Sequence, residues 1–421
     1  MTAAPALQTR AGLWNWSLFA ALIAAAGLPI YIHAPKFYVD EYGTSLAALG
    51  GVLALLRLID VVQDPMLGWL AERLRARRGA MVIVAGGLMA GAMVGLFAFA
   101  PPVAPLLWFA LTLACLFTGF SFLTIAFYAQ GVERAASLGP GGPLRLAGWR
   151  ETGSLLGVSV AAVAPVALMG LTDRPFAAFA AGFVLLAVLA HWAMRGEWGG
   201  PAQGNAGRID LLGAFRPALS DPLARRLLLI ALLNAAPVAV TSTLFLFFVE
   251  SRLAAPGAEG PLLLLFFLAA AGSAPVWARI AAVMGEKQSL MAAMALAILA
   301  FLWAVTLREG DVLAFALICA ASGAAMGADL TLLPALFAHR LASLGKGGEG
   351  AAFGLWSFVS KLSLALAAAT LLPALQAAGF VPGQDNAAGP LFTLSLLYAA
   401  LPCALKLLAI VLLAATKVPK V

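Results

Sequence analysis

Long runs of apolar residues are separated along the chain by short polar stretches. A helix rises about 1.5 Å per residue, so a run of about twenty residues crosses the roughly 30 Å hydrocarbon core of a bilayer. The pattern predicts twelve helical spans, at about residues 12–35, 45–71, 80–100, 103–131, 146–170, 176–194, 227–249, 261–283, 289–306, 312–340, 351–375 and 389–416. We therefore predict an all-α polytopic membrane protein with twelve transmembrane helices.

Composition supports this fold class. The 421 residues are 63% hydrophobic and 11% charged, whereas about a quarter of the residues of soluble domains are charged. The net charge of +7 does not indicate nucleic-acid binding, because the basic residues gather in alternate short loops. Cys115, Cys319 and Cys403 lie within apolar spans, where they behave as small hydrophobic residues, so we predict no disulfide framework. The lipid bilayer is the expected environment.

The placement of Lys and Arg sets the expected orientation, because cytoplasmic loops carry an excess of both. Four of these residues lie on one side of the predicted spans: Lys36, Arg174, Arg252 and Arg308. Eighteen lie on the side of both termini: Arg10, Arg73, Arg75, Arg77, Arg78, Arg134, Arg145, Arg195, Arg208, Arg216, Arg225, Arg226, Arg279, Lys287, Arg340, Lys346, Lys417 and Lys420. We therefore expect a multi-pass protein of the bacterial inner (plasma) membrane with both termini in the cytoplasm.

One long polar connection, roughly Arg195 to Arg226, separates six predicted spans from six. A weak internal repeat accompanies it, since Trp149 to Pro165 in the fifth span resembles Trp356 to Pro373 in the eleventh. Such halves are typical of carriers built from structural repeats. We predict an N-terminal six-helix bundle (1–195), a central cytoplasmic loop (196–226) and a pseudo-symmetric C-terminal six-helix bundle (227–421).

The second span carries three charged residues, Arg57, Asp60 and Asp64, inside an apolar run from Ser45 to Ala71. Each charge near the bilayer centre costs about 2.5–3.5 kcal/mol on insertion scales. Steps of three and four residues place the three side chains on one helix face and leave an apolar face for lipid. Charged groups at membrane depth indicate a functional site with partners on other helices. Arg57 either pairs with one of the acids or acts directly.

Four polar residues from four spans are predicted to lie at one depth. Asp60, Lys361, Asp329 and Thr124 each lie ten or eleven residues from the cytoplasmic end of their span, or roughly 16 Å into the membrane, near the midplane where carriers hold their cargo. The acids need a positive partner or a proton. Lys361 either bridges them permanently or competes for them with a cation. Asp329 either takes part in this site or caps a backbone break near Pro334.

Other intramembrane polar residues each allow two interpretations. Arg150 and Glu151, near the start of the fifth span, form an inner gate or extend their side chains to the interface. Asn234 and Pro237 in the seventh span predict a kink or break, which is either packed or open to a cavity. Lys406 has no predicted partner.

The motif Arg57-Leu58-Ile59-Asp60-x3-Asp64-Pro65-x2-Gly68-Trp69 resembles the second helix of the glycoside–pentoside–hexuronide:cation symporters, the melibiose-carrier family of the major facilitator superfamily. Phe37-Tyr38-Val39-Asp40 resembles the first outer loop of that family, and Trp356-Ser357-Phe358-Val359-Ser360-Lys361 resembles its helix-eleven segment with the coupling lysine. The resemblance implies two six-helix bundles around a central cavity that opens alternately to either side. It also implies that the two acids form a cation site with the lysine beside it.

The chain departs from this family where galactosides are recognised. Thr124 and Tyr128 stand where the family has an Asp and a Trp in helix four, and Ala24-Ala25-Ala26 occupies the region of its acidic sugar ligand in helix one. Arg150 falls where the family keeps an arginine. These departures disfavour a galactoside. Thr124 can still offer an oxygen to the cation site but no charge, which favours a proton or weak coupling over Na⁺.

We predict a secondary active transporter that carries a small organic solute, such as a sugar or glycoside, by symport with Na⁺ or H⁺ as the coupling ion and uses no other cofactor. The cation is expected at Asp60, Asp64 and Thr124, with Lys361 and Arg57 as counter-charges. The residues expected to contact a small organic solute are Tyr128, Thr124, Asn234, Arg150 and Asp329. We expect the protein to function as a monomer. We also expect that it is not an enzyme, because the sequence offers no candidate nucleophile together with a base.

Two alternatives remain open from the sequence. The first is a carrier of lysolipids or other amphiphiles on the same fold, which a cavity open sideways to the bilayer would favour. The second is a non-transporting membrane receptor or scaffold, which predicts a collapsed cavity and Lys361 locked to the two aspartates.

Overall fold

The computed structural model describes residues 13–139, 141–198, 211–344, 348–381 and 386–418, and all regular structure in these ranges is helical. The helices are α1 (Trp14–Ala25), α2 (Leu28–Tyr42), α3 (Leu46–Arg73), α4 (Arg78–Phe97), α5 (Pro105–Ser137), α6 (Gly142–Leu168), α7 (Pro175–Met194), α8 (Leu211–Ser220), α9 (Pro222–Phe247), α10 (Glu259–Met284), α11 (Glu286–Ala304), α12 (Val312–Leu344), α13 (Glu349–Ala377), α14 (Ala388–Ser395) and α15 (Leu401–Ala414). Four basic residues used for the orientation lie outside the described residues: Arg10, Arg208, Lys346 and Lys420.

Nine helical segments of the described ranges are long and apolar enough to cross a membrane: Arg75–Phe97, Pro105–Ser137, Pro175–Met194, Pro222–Arg252, Glu259–Met284, Glu286–Ala304, Val312–Leu344, Glu349–Ala377 and Ala388–Ala414. The first, second and fifth predicted spans are helical as well, but the first is broken and the other two carry charges. The predicted all-α, multi-pass membrane fold is confirmed, while the count of twelve crossings stays a prediction.

The first predicted span extends further than expected. It consists of α1 and α2, separated by a break at Ala26 and Gly27, and α2 continues to Tyr42 rather than ending near residue 35. The segment Phe37-Tyr38-Val39-Asp40, compared above with an outer loop, is therefore helical. Helix α2 ends at Gly43, whose φ of +63° is a left-handed conformation that glycine adopts without a Cβ clash.

Aromatic packing explains the extra turns of α2. The ring centre of Phe37 lies 5.4 Å from that of Phe97 and 4.7 Å from that of Phe176. Tyr38 is buried with its ring centre 4.9 Å from that of Phe109. Aromatic pairs of this kind contribute about 0.5–1.5 kcal/mol each beyond their buried area. These contacts hold α2 against α4, α5 and α7, which the local sequence could not indicate.

The seventh span has no break at Asn234 and Pro237, while a kink there stays a prediction. Helix α9 runs without interruption through Asn234 and Pro237, and the irregular geometry comes later, in a π turn at Phe248–Arg252. A proline removes only one intrahelical donor.

One end of the molecule, which we call the terminus end, holds the first and last residues that the structure describes, together with most ion pairs of the described residues. Asn15 donates to Glu197 at 3.2 Å, and Lys287 donates to the carbonyl oxygen of Thr416 at 2.8 Å. Arg75 joins the two bundles there, 3.3 Å from Glu349.

Further contacts reinforce the terminus end. Arg75 lies 2.5 Å from Glu133 within its own bundle, and the Gly350 N–H donates to Glu72 of the opposite bundle at 3.2 Å. The basic stretch after α3 therefore clamps this end as well as carrying the charge that sets the predicted orientation.

The apolar core shows which end of the molecule is closed. One cluster of buried residues fills the first bundle and continues into the terminus-end half of the second, where it includes Leu228, Leu336 and Phe353. A separate cluster, which includes Phe315 and Leu371, fills the other half of the second bundle alone. Among the described residues, the two bundles therefore share most of their common apolar core towards the terminus end, a small cluster of Leu155, Ala270 and Ala274 lies between them, and no buried cluster joins them at the opposite end.

Two glycines bring α3 and α13 into backbone contact at the closed end. A Cβ added to Gly68 would lie 2.9 Å from the Cα of Gly354 and 3.0 Å from the carbonyl oxygen of Gly350. Backbone atoms cannot move aside as a flexible side chain can. The two helices can therefore approach this closely, and close this end of the molecule, only with glycine at the crossing.

Asp221 joins the start of α9 to α12, and replacing it is expected to lower thermal stability. Its Oδ2 accepts from the Ala224 N–H at 2.8 Å, and its two oxygens accept from Arg340 at 2.9 and 2.5 Å. Loss of such an N-cap costs about 0.5–2 kcal/mol. We expect Asp221→Ala to lower the unfolding temperature in detergent more than Asp221→Asn, which can cap but cannot accept the guanidinium as a carboxylate does.

The pH dependence of this effect has a definite sign. Hydrogen bonds from Arg340 hold the pKa of Asp221 below its ordinary value, so its stabilisation is fully present above about pH 4 and is lost as the pH falls through the lowered pKa. The difference between wild type and Asp221→Asn should shrink on acidification below this range. The exposed Asp173, replaced by Asn, is the control; an equal effect of that substitution would contradict the assignment.

Candidate functional site

Helix α3 separates a polar face from an apolar one, as its spacing predicts. Asp64 is 0% exposed and Asp60 4% exposed, whereas Leu58, Val62 and Met66 are each more than half exposed. The period of 3.6 residues turns the acids inward and the large apolar side chains outward. The exposed face suits contact with lipid, and the acids meet other helices.

The Lys361 ammonium lies between the two acids. Its Nζ is 3.0 Å from Oδ1 of Asp64 and 3.3 Å from Oδ2 of Asp60, and it donates to Oγ of Ser121 at 2.7 Å. The Ser357 hydroxyl donates to the second oxygen of Asp64 at 2.5 Å. Lys361 and Ser357 belong to α13 of the second bundle, and the other three residues belong to α3 and α5 of the first. The cluster therefore joins the two bundles.

The Lys361 ammonium finds its hydrogen-bond acceptors and its opposite charges within this cluster. The ammonium has three N–H donors, and three acceptors lie around it. Removing one partner of a buried ion pair costs about 3–5 kcal/mol, because a charge is left without compensation. The lysine can therefore leave only when another positive group takes its place at the acids.

Two hydroxyls of the cluster were missed by sequence reasoning. Thr124, predicted as a cation ligand, donates to the carbonyl oxygen of Phe120 in its own helix at 2.7 Å. The hydroxyls bound to the cluster are Ser121, three residues before Thr124, and Ser357, four residues before Lys361. Both serines lie about one helical turn from a residue that the sequence predicts for the site, and a search of the positions three and four residues away would have found them. The role of Thr124 stays a prediction.

Tyr128, Arg150 and Glu151 form a second group. Oε1 of Glu151 accepts from the Tyr128 hydroxyl at 3.0 Å and from Nε of Arg150 at 2.8 Å. The guanidinium carbon lies 3.8 Å from the centre of the Tyr128 ring, a cation–π contact. Nη2 of Arg150 is buried and has no hydrogen-bonding partner among the described residues. Both charged residues are buried, which favours the inner position over extension to the interface.

An aromatic layer adjoins this group at the boundary of the two bundles. The Tyr128 ring centre is 5.2 Å from that of Phe353 on α13. Phe353 lies 5.5 Å from Phe337, whose ring centre is 5.1 Å from that of Trp356. Phe353 precedes Lys361 by two helical turns, so the layer lies between the lysine cluster and the terminus end.

Comparison with protein families matches residues 16–420 to the family described as MFS/sugar transport protein. The chain belongs to this family. The match covers nearly the whole described structure, so this MFS protein is a membrane transporter. The narrower resemblance to the melibiose carriers stays a prediction.

Solved structures of the same fold include other transporters. A bacterial homologue of the iron transporter ferroportin, in an outward-facing state, superposes with a TM-score of 0.70 at 16% identity over 96% of this chain and 98% of that one. The human organic anion transporter MFSD10 (TETRAN) superposes with a TM-score of 0.62 at 18% identity over 95% and 98%. At these identities the likeness shows the fold alone. A search of curated protein sequences finds no match.

Two of the residues predicted to contact the solute lie apart from both the Lys361 cluster and the group around Arg150. Asn234 of α9 and Asp329 of α12 both accept hydrogen bonds from Lys406 of α15, at 2.7 Å in the case of Asn234. All three helices belong to the second bundle. The structure thus supplies the missing partners of Lys406 and separates Asn234 and Asp329 from the group around Arg150. Their predicted contact with solute stays a prediction without geometric support.

Arg57, the predicted second counter-charge, begins the polar stripe of α3. It precedes Asp60 by one helical turn and is half-buried, unlike the acids. Its charge is therefore more strongly screened than the buried charges of the cluster.

Proposed function

We propose that this transporter couples the movement of a small organic solute to Na⁺ or H⁺ by alternating access. The observation that carries the proposal is the Lys361 ammonium, which belongs to one bundle and is held by Asp60 and Asp64 of the other. A cation bound by the acids takes the place of the lysine and releases one bundle from the other. Cation occupancy and bundle movement then depend on each other.

The charges of the cluster suit one monovalent cation. Asp60, Asp64 and Lys361 are buried and sum to −1 when all are ionised. One Na⁺ or one H⁺ brings this sum to zero, which the membrane interior favours. Arg57 is half-buried and contributes a screened charge from the side of the open end.

Closure at the terminus end defines the conformational state. With the orientation expected from the basic residues, this end is cytoplasmic, and the structure corresponds to an outward-facing carrier. Passage of solute to the cytoplasm then requires the Arg75–Glu349 ion pair and the hydrogen bond between Glu72 and Gly350 to open. Glu72 and Glu349 are 6% and 8% exposed, so opening this end must bring water to two buried carboxylates as their partners separate.

The geometry around Arg150 supports a solute with hydrogen-bond acceptors. Its free Nη2 donor and the Tyr128 ring are the features a sugar or another polar organic molecule would use. A second candidate is an amphiphilic solute. It is favoured by an apolar patch between the bundles, in which Leu155 of α6 packs with Ala270 and Ala274 of α10.

A non-transporting receptor would also hold Lys361 on both acids. Membership of a transporter family argues against that alternative. Transport itself is the decisive test.

Proteoliposomes separate these possibilities. Sugars, organic anions and lysolipids are first screened for stabilisation of the purified protein, since a ligand of the folded form raises its unfolding temperature. The stabilising compound is then offered to vesicles with an imposed Na⁺ gradient, an imposed pH gradient, or neither. We expect accumulation above equilibrium with one gradient and its collapse when an ionophore dissipates that gradient. Binding without movement under any gradient would contradict the proposal.

A further inference from the structure

A groove of about 490 Å³ runs along the outer face of the first bundle, between α4 and α7. Its lining comes from residues 79–90 of α4 and from residues 184–198 of α7 and the turn after it. Three large apolar residues of this lining, Ile83, Val188 and Trp192, are each more than half exposed. No residue of the Lys361 cluster or of the group around Arg150 lines the groove. It is therefore a feature separate from the proposed coupling and solute sites.

A histidine joins the two helices and leaves the groove open beside it. A Cβ added to Gly86 would lie 2.2 Å from Nε2 of His191, so the imidazole packs directly on the backbone of α4. The ring nitrogens of His191 lie 2.8 Å from the carbonyl oxygen of Ala187 and 3.2 Å from that of Val82. One residue further along α4, nothing lies within 4 Å of a Cβ built at Gly87. The groove is therefore an open space between two helices that are held together.

The length of the groove matches one leaflet of a bilayer. Its lining begins at Gly79, in the first turn of α4 at the terminus end, and extends to Ala90. At 1.5 Å per residue this stretch is roughly 17 Å long, and half of the hydrocarbon core is about 15 Å thick. Its volume lies within the roughly 300–1,000 Å³ of small-molecule sites. An acyl chain of the leaflet at the terminus end fits such a groove.

A positive charge lies where the groove reaches the terminus end. Arg195 lines the groove just after α7 ends, and it is exposed. Its guanidinium carbon lies 5.0 Å from the ring centre of Trp192. A guanidinium stacked on a ring keeps its N–H donors in its own plane, where they bind phosphate oxygens in pairs. The carboxylate of Glu197, two residues further on, lies 3.4 Å from Arg134 and does not occupy Arg195.

Two tryptophans mark the same level. Trp192 and Trp198 both line the groove near Arg195, and tryptophan is enriched at the depth of lipid headgroups. The groove thus combines an apolar channel one leaflet deep with a cation at headgroup level. An anionic headgroup complements that cation, and an uncharged detergent or solute does not.

We propose that this groove binds one anionic phospholipid, with an acyl chain between α4 and α7 and its phosphate at Arg195. With the orientation expected from the basic residues, the lipid comes from the cytoplasmic leaflet, whose surface is negatively charged. Both helices belong to the first bundle, so the lipid stays bound while the bundles move against each other. The site therefore does not depend on the coupling ion or on the transported solute.

Native mass spectrometry of the full chain tests this site. Delipidated protein in detergent is mixed with dioleoyl phosphatidylglycerol or with dioleoyl phosphatidylcholine, which share their acyl chains and differ in headgroup charge. We expect one phosphatidylglycerol retained per chain, with an affinity about fivefold above that of phosphatidylcholine, the effect of one basic residue at a charged membrane surface. Equal retention of the two lipids would overturn the proposal. So would a dimer that retains neither, because a second copy of the chain would then cover the groove.

A charge variant tests the role assigned to Arg195. Arg195→Gln should abolish the preference for phosphatidylglycerol and leave the retention of phosphatidylcholine unchanged. Arg226 is an exposed arginine of the second bundle, in the first turns of α9, and Arg226→Gln is the matched control. It should keep the full preference. Loss of the preference in both variants, or in neither, would contradict a headgroup site at Arg195.

Variants that fill the groove test its position. Gly87→Leu should weaken the retention of both lipids at least about fivefold, the smallest effect of an overpacked site. Gly91→Leu adds the same side chain one turn further along α4, where nothing lies within 4 Å of a Cβ and the lining has ended, and should have no effect. Val188→Trp fills the groove from α7 and covers the case in which Gly87→Leu unfolds the protein, which its unfolding temperature reports. Unchanged retention in the folded filling variants would overturn the proposal.

Discussion

Asp64→Asn is expected to reduce solute accumulation driven by a cation gradient at least about 100-fold. Asp64 is 0% exposed and accepts from Lys361 at 3.0 Å and from Ser357 at 2.5 Å. Asparagine preserves the size of the side chain but removes the charge that attracts the cation. Interactions of a buried charge of this kind amount to about 3–5 kcal/mol, or a factor of about 10²–10⁴ in affinity. Without it, the cluster of Asp60 and Lys361 is already neutral and has no demand for a cation.

The measurement is accumulation in vesicles under the effective gradient, together with solute binding in its absence. Binding should persist, because the group around Arg150 that we propose to bind solute is intact. The exposed Asp173, replaced by Asn, is the control for loss of a carboxylate that has no part in the cluster. Undiminished accumulation by Asp64→Asn would remove this acid from the mechanism.

Gly68→Val is expected to stop the terminus end from closing. Even a Cβ at this position would lie 2.9 Å from the Cα of Gly354, whereas carbon atoms in favourable contact lie about 3.5–4.0 Å apart. Overpacking costs about 1–3 kcal/mol, which shifts a two-state equilibrium about 5- to 150-fold. The bundles should therefore spend most of their time apart at this end, and transport should fall in proportion.

Distances between spin labels test this directly. In a chain whose native cysteines are replaced, labels at the exposed Arg77 and Ser343 report the separation of the bundles at the terminus end. We expect a longer distance in Gly68→Val. Gly91→Val is the matched control, because nothing lies within 4 Å of a Cβ built at Gly91. An unchanged distance in Gly68→Val would show that α3 and α13 can close with a side chain between them.

Several features of the fold could be predicted because each follows from one helix considered alone. The membrane-spanning helices follow from apolar runs whose length matches the bilayer. The inward face of α3 follows from the spacing of Asp60 and Asp64. A lysine partner could be named because two buried acids need a positive group, and Lys361 was the charged residue at the matching depth. The break at Ala26 and Gly27 carries no such signal.

The wrong expectations concern contacts between helices. The end of α2 was placed several residues too early, because its extra turns depend on rings supplied by α4, α5 and α7. Lys406 had no predicted partner, and the structure places it on Asn234 and Asp329, whose contact with solute stays a prediction. The count of residues from the end of the span predicts a depth for Asp329 in the membrane, but it cannot tell which side of α12 the residue occupies.

The amino-acid sequence by itself determined the helical membrane fold, the inward face of α3 and the buried charges that need partners, because apolar length and helical period act within a single segment. Only the tertiary structure decided that Ser121 and Ser357 complete the Lys361 cluster, that Lys406 pairs with Asp329 and Asn234, and that the bundles meet at the terminus end. Each residue along a helix turns the side chain by about 100°. Which hydroxyl reaches a charge therefore depends on how neighbouring helices are rotated and how deeply they lie, and packing alone sets both.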